Sequence, residues 1–185
     1  MAAPLRPAGG TVFVTVGTTK FDALIRSCDQ QALADALAER GYSRLVMQVG
    51  AAGYVPRRLF PPNSRTAQLH NGLAVEYFDF APSLAPYMES AALIISHAGS
   101  GSIFEALRLG KPLIVVPNPL LMDNHQVELA RKLESLRHLF AASPASLAEV
   151  VRGMDTGKLV PYEKGDPAGI VAGIDACCGV AAKQA

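Results

Sequence analysis

The sequence predicts an α/β protein, a single domain with a doubly wound parallel sheet that is Rossmann-like in its alternation, and three observations predict it. Apolar, β-branched runs of strand length alternate with segments of helical periodicity along the chain. The opening run Thr11–Val16 leads straight into Gly17, Thr18 and Thr19, and a helical pattern follows. The stretch from Ile94 to Gln126 reads as strand, glycine-rich turn, helix, strand, loop and helix start. In such sheets ligands sit at the carboxyl ends of the strands, which makes those turns the place to look.

The elements follow in order. After the strand at Thr11–Val16, apolar residues at helical spacing from Phe21 to Arg40 stop at Gly41. Leu45–Val49 is a second strand. The stretch Gly53–Asn71, with Pro56, Pro61 and Pro62, reads as a long irregular connection. Ala74–Phe78 is a third strand, Pro82–Ala91 a helix and Leu93–Ser96 a fourth strand. Ile103–Leu109 is helical and closed by Gly110, and Pro112 opens the fifth strand, Leu113–Val116. Asn124–Leu136 is a helix, His138–Ala141 a sixth strand and Ser146–Met154 a further helix. Residues 1–10 are expected to be a flexible N-terminus, 11–154 the ligand-binding domain, and 155–185 a linker (Asp155–Pro167) with a short helix at Ala168–Gly179.

Composition narrows the function. The chain has 185 residues, half of them hydrophobic, enough for one sizeable core. A formal net charge of +1 gives no electrostatic reason to expect nucleic acid. The three cysteines, Cys28, Cys177 and Cys178, are odd in number and lack metal-ligand spacing, which points to a reducing compartment. No apolar run approaches the roughly 20 residues of a membrane span, so a soluble protein is expected, with any membrane role supplied by a partner.

The turn Ala98–Ser102 aims unpaired backbone N–H groups and the positive end of a helix dipole at one point, an anion site suited to a phosphate or diphosphate. Glu105, one turn into that helix, suits a ribose diol; the alternative is that Ser102 and Glu105 form a capping box. The turn matches neither the dinucleotide fingerprint nor the P-loop. Two further turns converge at the same edge. Gly17, Thr18 and Thr19 can bind phosphate oxygens or, alternatively, cap a helix. Asp123, Asn124, His125 and Gln126 open a helix; capping by Asp123 or Asn124 leaves His125 and Gln126 free to face a polyhydroxyl ligand.

These motifs carry a resemblance. His97-Ala98-Gly99-Ser100-Gly101-Ser102 followed by Glu105, then Gly110–Pro117, then Asp123–Gln126 before Glu128, resembles the donor half of GT-B glycosyltransferases of the MurG-like family. The opening VFVTVGTTKFDALI, with GYSRLVMQVG, LMDNHQVELA and RHLF, is similar to the small catalytic subunits of the UDP-N-acetylglucosamine transferases that add the second GlcNAc to dolichol-linked GlcNAc diphosphate. The similarity runs from about Thr11 to about Tyr162. It implies that His97, Gly17 to Thr19 and Gly99 to Ser102 hold the diphosphate, that Glu105 binds the ribose, and that Phe78 lies where uracil is held through main-chain groups. Asn124, His125 and Gln126 fall where the donor sugar's hydroxyls are read. Plant-type secondary-metabolite transferases have a tryptophan and an asparagine where this chain has Ser100 and Gly101, so their acceptor specificity does not carry over.

The resemblance also implies a missing half. A complete GT-B enzyme has two such domains, and 185 residues supply one. In the family the other half is a membrane-anchored subunit that carries acceptor-side surface and recruits this one to the cytosolic face of the endoplasmic reticulum. The apolar tail around Ile170–Cys177 is a candidate docking element, unless it packs within the chain. Inverting displacement of UDP needs charge stabilisation on the leaving diphosphate, which helix amides and His97 can supply, and a base. His125, His97 or an acid of the partner can serve as base, the partner being preferred because the acceptor approaches from its side. No two acidic residues stand at D-x-D spacing, so no cofactor and no obligatory metal is expected. His70 and His138 are expected to be structural or solvent-facing. The other readings are a non-catalytic UDP-sugar-binding subunit and a stand-alone enzyme on another acceptor.

Overall fold

The computed structural model describes residues 9–51, 53–118 and 124–163. Seven strands form one sheet in the order β3-β4-β2-β1-β5-β6-β7. They are β1 (Gly10–Thr15), β2 (Tyr42–Gln48), β3 (Thr66–Gln68), β4 (Ala74–Phe78), β5 (Leu93–His97), β6 (Leu113–Val116) and β7 (Phe140–Ala141). All pairings are parallel except that of β3 with β4. The strand alternation decides which side chains meet which helices. Val12, Val14, Leu93, Ile95, Ile114 and Val116 face one way and pack with α1 (Asp22–Cys28), α2 (Gln31–Glu39) and α6 (Leu147–Gly153). Phe13, Ile94, Leu113 and Val115, the residues between them, face the other way and pack with α3 (Ala85–Ser90), α4 (Ser100–Arg108) and α5 (Asn124–Ser135). This two-faced burial is why these strands read as unbroken apolar runs rather than alternating ones.

The structure corrects several expected boundaries. The helical pattern from Phe21 to Arg40 is two helices, broken at Asp29 and Gln30, where Gln30 takes extended backbone angles. The cause is a buried carboxylate. Asp29 is 0 % exposed and accepts from the Tyr54 hydroxyl (2.6 Å) and from the backbone N–H groups of Arg57 (2.8 Å), Arg58 (3.0 Å) and Leu59 (3.0 Å). Those amides belong to the irregular connection and have no ladder to join, so Asp29 satisfies them and lets Tyr54, Leu59 and Phe60 enter the core.

That connection holds a strand the sequence pattern did not reveal. β3 is a three-residue edge strand on β4, outward and polar enough to lack any apolar alternation. β2 begins at Tyr42, three residues earlier than its apolar run, because Arg44 faces out and pairs with Glu76 at 2.8 Å. α3 starts at Ala85, not Pro82, and α6 and β7 are each shorter than expected. Within the expected linker, Thr156–Lys158 form a 3-10 turn and Tyr162 packs its ring against Phe104 and His138. The expected N-terminal segment before Gly9 and the helix at Ala168–Gly179 lie outside the described residues. Among the described residues no helix is long and apolar enough to cross a membrane.

Asp29→Asn keeps the shape but swaps one acceptor oxygen for an amide that faces donors. The expected loss is about 2 to 4 kcal/mol, read as a lowered denaturation midpoint with an unchanged far-UV spectrum. An unchanged midpoint would show that these bonds do not hold the connection down.

Candidate functional site

The site is assembled where β1, β2, β4 and β5 end. Thr15, the last residue of β1, donates its hydroxyl to Gln48 Oε1 (2.7 Å) and accepts from Gly17 N–H (3.0 Å). Gln48 closes β2 and is 1 % exposed. Its Oε1 also accepts from Val16 N–H (3.1 Å), while Nε2 donates to the carbonyls of Gly17 (2.9 Å) and Asp79 (3.2 Å). Gly17 turns the chain at φ 59°, in the left-handed region that favours glycine. Thr18 and Thr19 follow on the surface. Neither caps a helix: α1 is preceded by Phe21 and has no side-chain cap. The capping alternative for the two threonines is therefore not realised, and the loop stands clear of the helix start.

His97 closes β5 with only 7 % of its surface exposed. A Cβ on Gly17 would lie 2.9 Å from Cε1 of the ring, and one on Gly99 would overlap Nε2. The two glycines thus flank the imidazole and join the first and second turns through it. Burial pushes the His97 pKa below its ordinary value, an effect partly offset by the Thr15 main chain, yet Nδ1 has no hydrogen-bond partner in the protein.

α4 begins at Ser100, three residues before the expected start, with Gly99 as N-cap and no side-chain cap. Ser102 is thus inside the first turn, which excludes the capping box with Glu105. The first N–H groups of α4, at Ser100, Gly101 and Ser102, lie ahead of the first intrahelical bond, from Ile103 N–H to Gly99 carbonyl (3.0 Å). A Cβ on Gly101 would meet nothing within 4 Å. Ile103, Ala106 and Leu107 are buried, whereas Gly101 and Glu105, four residues apart on one face, are exposed.

α5 opens with Asn124, His125 and Gln126 at the carboxyl end of the neighbouring β6, on the same side of the sheet as α4. Asp123 and the side chains of Asn124 and His125 lie outside the description. Gln126 is half-buried, and its Oε1 has no partner. Among the described residues, the buried side-chain nitrogen and oxygen atoms left without partners are those of His97 and Gln126. Unpaired buried polar atoms are costly; His97 closes β5, and Gln126 lies in the first turn of the helix that follows β6, the strand next to β5.

Phe78 ends β4, with its ring 4.8 Å from that of Tyr87 and its carbonyl accepting from Val49 N–H (2.9 Å). The aromatic standing free at this edge is Phe80, 62 % exposed, next to Asp79. Phe80 and Gln48 are not among the residues the motifs single out, although each carries a signal: an aromatic just past a strand, and an amide inside an apolar run. His70 is exposed, and His138 Nδ1 hydrogen-bonds the Val160 carbonyl (2.9 Å) at the other end of the sheet.

Two glycine substitutions separate the roles of the turn. Gly99→Ala should force the imidazole aside and cost about 1 to 3 kcal/mol. Gly101→Ala, in open space within the helix, should be neutral or stabilise by about 0.5 to 1 kcal/mol. Thermal melts of both variants test this, and equal behaviour would refute the clamp. Because folding favours neutral His97, the unfolded chain binds more protons below its ordinary value of 6.5. Stability should therefore fall as pH drops through that value, and His97→Gln should flatten the slope.

A family model described as the glycosyltransferase family 28 C-terminal domain matches residues 11–173. The chain is 32 % identical over 176 residues to the UDP-N-acetylglucosamine transferase subunit ALG13 of Saccharomyces cerevisiae, covering 82 % of this chain and 87 % of that one. It is 43 % identical over 129 residues to the subunit of the same name from Homo sapiens, covering 70 % of this chain but 11 % of the human protein. The chain therefore spans only about a tenth of the human relative. Its structure superposes on the NMR solution structure of ALG13 with a TM-score of 0.66 at 29 % identity, over 89 % of this chain and 94 % of that one. It also matches the crystal structure of Acinetobacter baumannii MurG with a TM-score of 0.59 at 20 % identity, over 83 % of this chain and 43 % of that one, a likeness of fold. With the carboxyl-edge geometry, these matches show that the chain belongs to the glycosyltransferase family 28 C-terminal domain family, in its ALG13-type subunit branch.

Proposed function

We propose that this chain binds UDP-GlcNAc and, with a membrane-anchored partner subunit at the cytosolic face of the endoplasmic reticulum, transfers GlcNAc with inversion (β-1,4) to GlcNAc-diphosphodolichol. The observation that carries the donor site is that His97 Nδ1 and Gln126 Oε1, both without protein partners, belong to the same carboxyl edge of the sheet as the uncapped start of α4. The relatives, named as UDP-N-acetylglucosamine transferase subunits, support the donor, the sugar and the need for a partner.

The chemistry follows from charge. As the bond between the anomeric carbon and the diphosphate oxygen breaks, negative charge grows on the leaving UDP. The amides of Ser100, Gly101 and Ser102 and the loop at Gly17, Thr18 and Thr19 surround that charge, and His97 holds a ring nitrogen against it. Glu105, on the exposed face of α4, accepts from the ribose hydroxyls, and Phe80 offers its free ring to the base beside Phe78. Asn124, His125 and Gln126, at the start of α5, are assigned to reading the GlcNAc hydroxyls. The acceptor hydroxyl attacks from the opposite side, and its proton goes to an acid of the partner or to His125. With the amides of the α4 start and the positive end of its dipole stabilising the charge, the proposed reaction needs no divalent metal.

Glu105→Ala should weaken UDP binding roughly tenfold to a hundredfold while leaving the fold intact, as measured by calorimetry. Equal affinities would remove Glu105 from the site. The purified chain should turn over UDP-GlcNAc and a lipid-linked GlcNAc diphosphate acceptor only when the partner is added, and EDTA should leave that rate unchanged. Strong turnover by the chain alone would favour a stand-alone enzyme. Intact activity of the complex carrying Glu105→Ala would leave the chemistry to the partner.

A further inference from the structure

We propose that Gln48 is a positioning residue that locks the phosphate-side loop at Gly17 to the base-side loop at Asp79 and Phe80, so that the two halves of the nucleotide pocket are set as one unit. The inference rests on the reading of this edge as a nucleotide-sugar site. β2 lies between β1 and β4 in the sheet, so its last side chain is the one placed to reach the ends of both neighbours. Gln48 uses its whole hydrogen-bonding capacity there. Oε1 accepts from Thr15 Oγ1 and Val16 N–H, and Nε2 donates to the Gly17 and Asp79 carbonyls.

Packing does not require this amide. A methionine fills a similar volume at a strand end flanked by Met47 and Val49. What only an amide does is accept on one side and donate on the other in fixed directions, which satisfies two carbonyls of loops that have left the sheet. Gly50 lies against the same group: a Cβ there would come within 3.2 Å of Nε2 and 3.3 Å of the Gly17 carbonyl. Gly50 N–H also donates to the Asp79 carbonyl (3.0 Å), so the clamp and the turn after β2 form one network. Through Gly17 it reaches the ring of His97, and through Asp79 it reaches Phe80. Asp79 is further fixed by its ion pair with Arg65 at 2.8 Å.

The test uses the full chain with Gln48→Met and Gln48→Glu, and calorimetry with UDP and with uridine, which lacks the phosphates. Gln48→Met should weaken UDP by about tenfold or more and weaken uridine as well, because both loops are released. Gln48→Glu should be worse at neutral pH, where a carboxylate faces two carbonyl oxygens. Its UDP affinity should then recover on acidification relative to the wild type and to Gln48→Met, since a protonated acid donates again. A residue that only packs would not give that pH profile. Where Gln48→Met folds poorly, Thr15→Val removes the hydroxyl shared with Gln48 and Gly17, and should weaken UDP in the same direction by less. UDP and uridine affinities equal to wild type in folded Gln48→Met overturn the proposal, and so does loss of UDP binding with uridine untouched. A wild-type chain that binds neither ligand would overturn the nucleotide reading itself.

Discussion

The imidazole of His97 lies where it does because positions 17 and 99 carry no side chain, and the carboxyl edge is built around that constraint. Gly17 meets it with a left-handed turn that a β-branched residue would adopt only under strain. Gly99 meets it as the N-cap of α4, where a serine or threonine would ordinarily satisfy the first amides. The glycine admits the ring and gives up the side-chain cap, so the start of α4 keeps its N–H groups directed outward. One packing requirement therefore produces both a buried neutral imidazole and an uncapped helix dipole beside it. Each is unfavourable in the protein alone, and the diphosphate of the proposed donor would offset both.

Two buried polar side chains hold the surrounding loops, and they solve the same problem. A parallel sheet pairs its strands but leaves the segments beyond their ends without ladder partners. Asp29 supplies acceptors to the three successive amides of Arg57, Arg58 and Leu59, and Gln48 supplies a donor to two carbonyls and an acceptor to one amide and one hydroxyl. The charges differ because the tasks differ. A carboxylate only accepts, which suits a turn of N–H groups, whereas an amide bridges elements that present opposite needs. Arg26, 4.0 Å above the ring of Tyr54, stacks on the residue whose hydroxyl Asp29 holds. This carries the anchoring out to the surface.

What was legible in the sequence was what hydrophobic periodicity encodes. β1, β5 and β6 are buried on both faces, so their runs are unbroken and their placement was plain. The turns after β1 and β5 were equally plain, because glycine is scarce inside elements and dense at such loops. The break at Asp29 was not, since an aspartate in an amphipathic run resembles an ordinary solvent-facing helical residue. Its partners lie 25 to 30 residues on, beyond any local window. β3 escaped for the opposite reason: Thr66, Ala67 and Gln68 bury too little to leave a pattern. The start of α4 was misplaced because Ser100 and Gly101 are poor helix formers. They are helical here through the fixed positions of β5 and Ile103, and not by propensity.

The same geometry bears on why such a domain would work as half of a site. Ser100, Gly101 and Glu105 are exposed, and nothing lies within 4 Å of a Cβ at Gly101, so the outer side of the turn is open. Beneath it, the parts that would meet the leaving group are rigid: His97 is held between two glycines, and Gly17 is tied through Gln48 to the end of β4. A transferase stabilises developing charge best with groups that need no rearrangement as the bond breaks, and that demand falls on the donor side. The acceptor side has a different demand, access for a hydroxyl along one line behind the anomeric carbon. In the proposed reaction the two demands are divided between chains, with the preorganised electrostatics built into this sheet edge and the alignment of the acceptor left to the surface that closes over it.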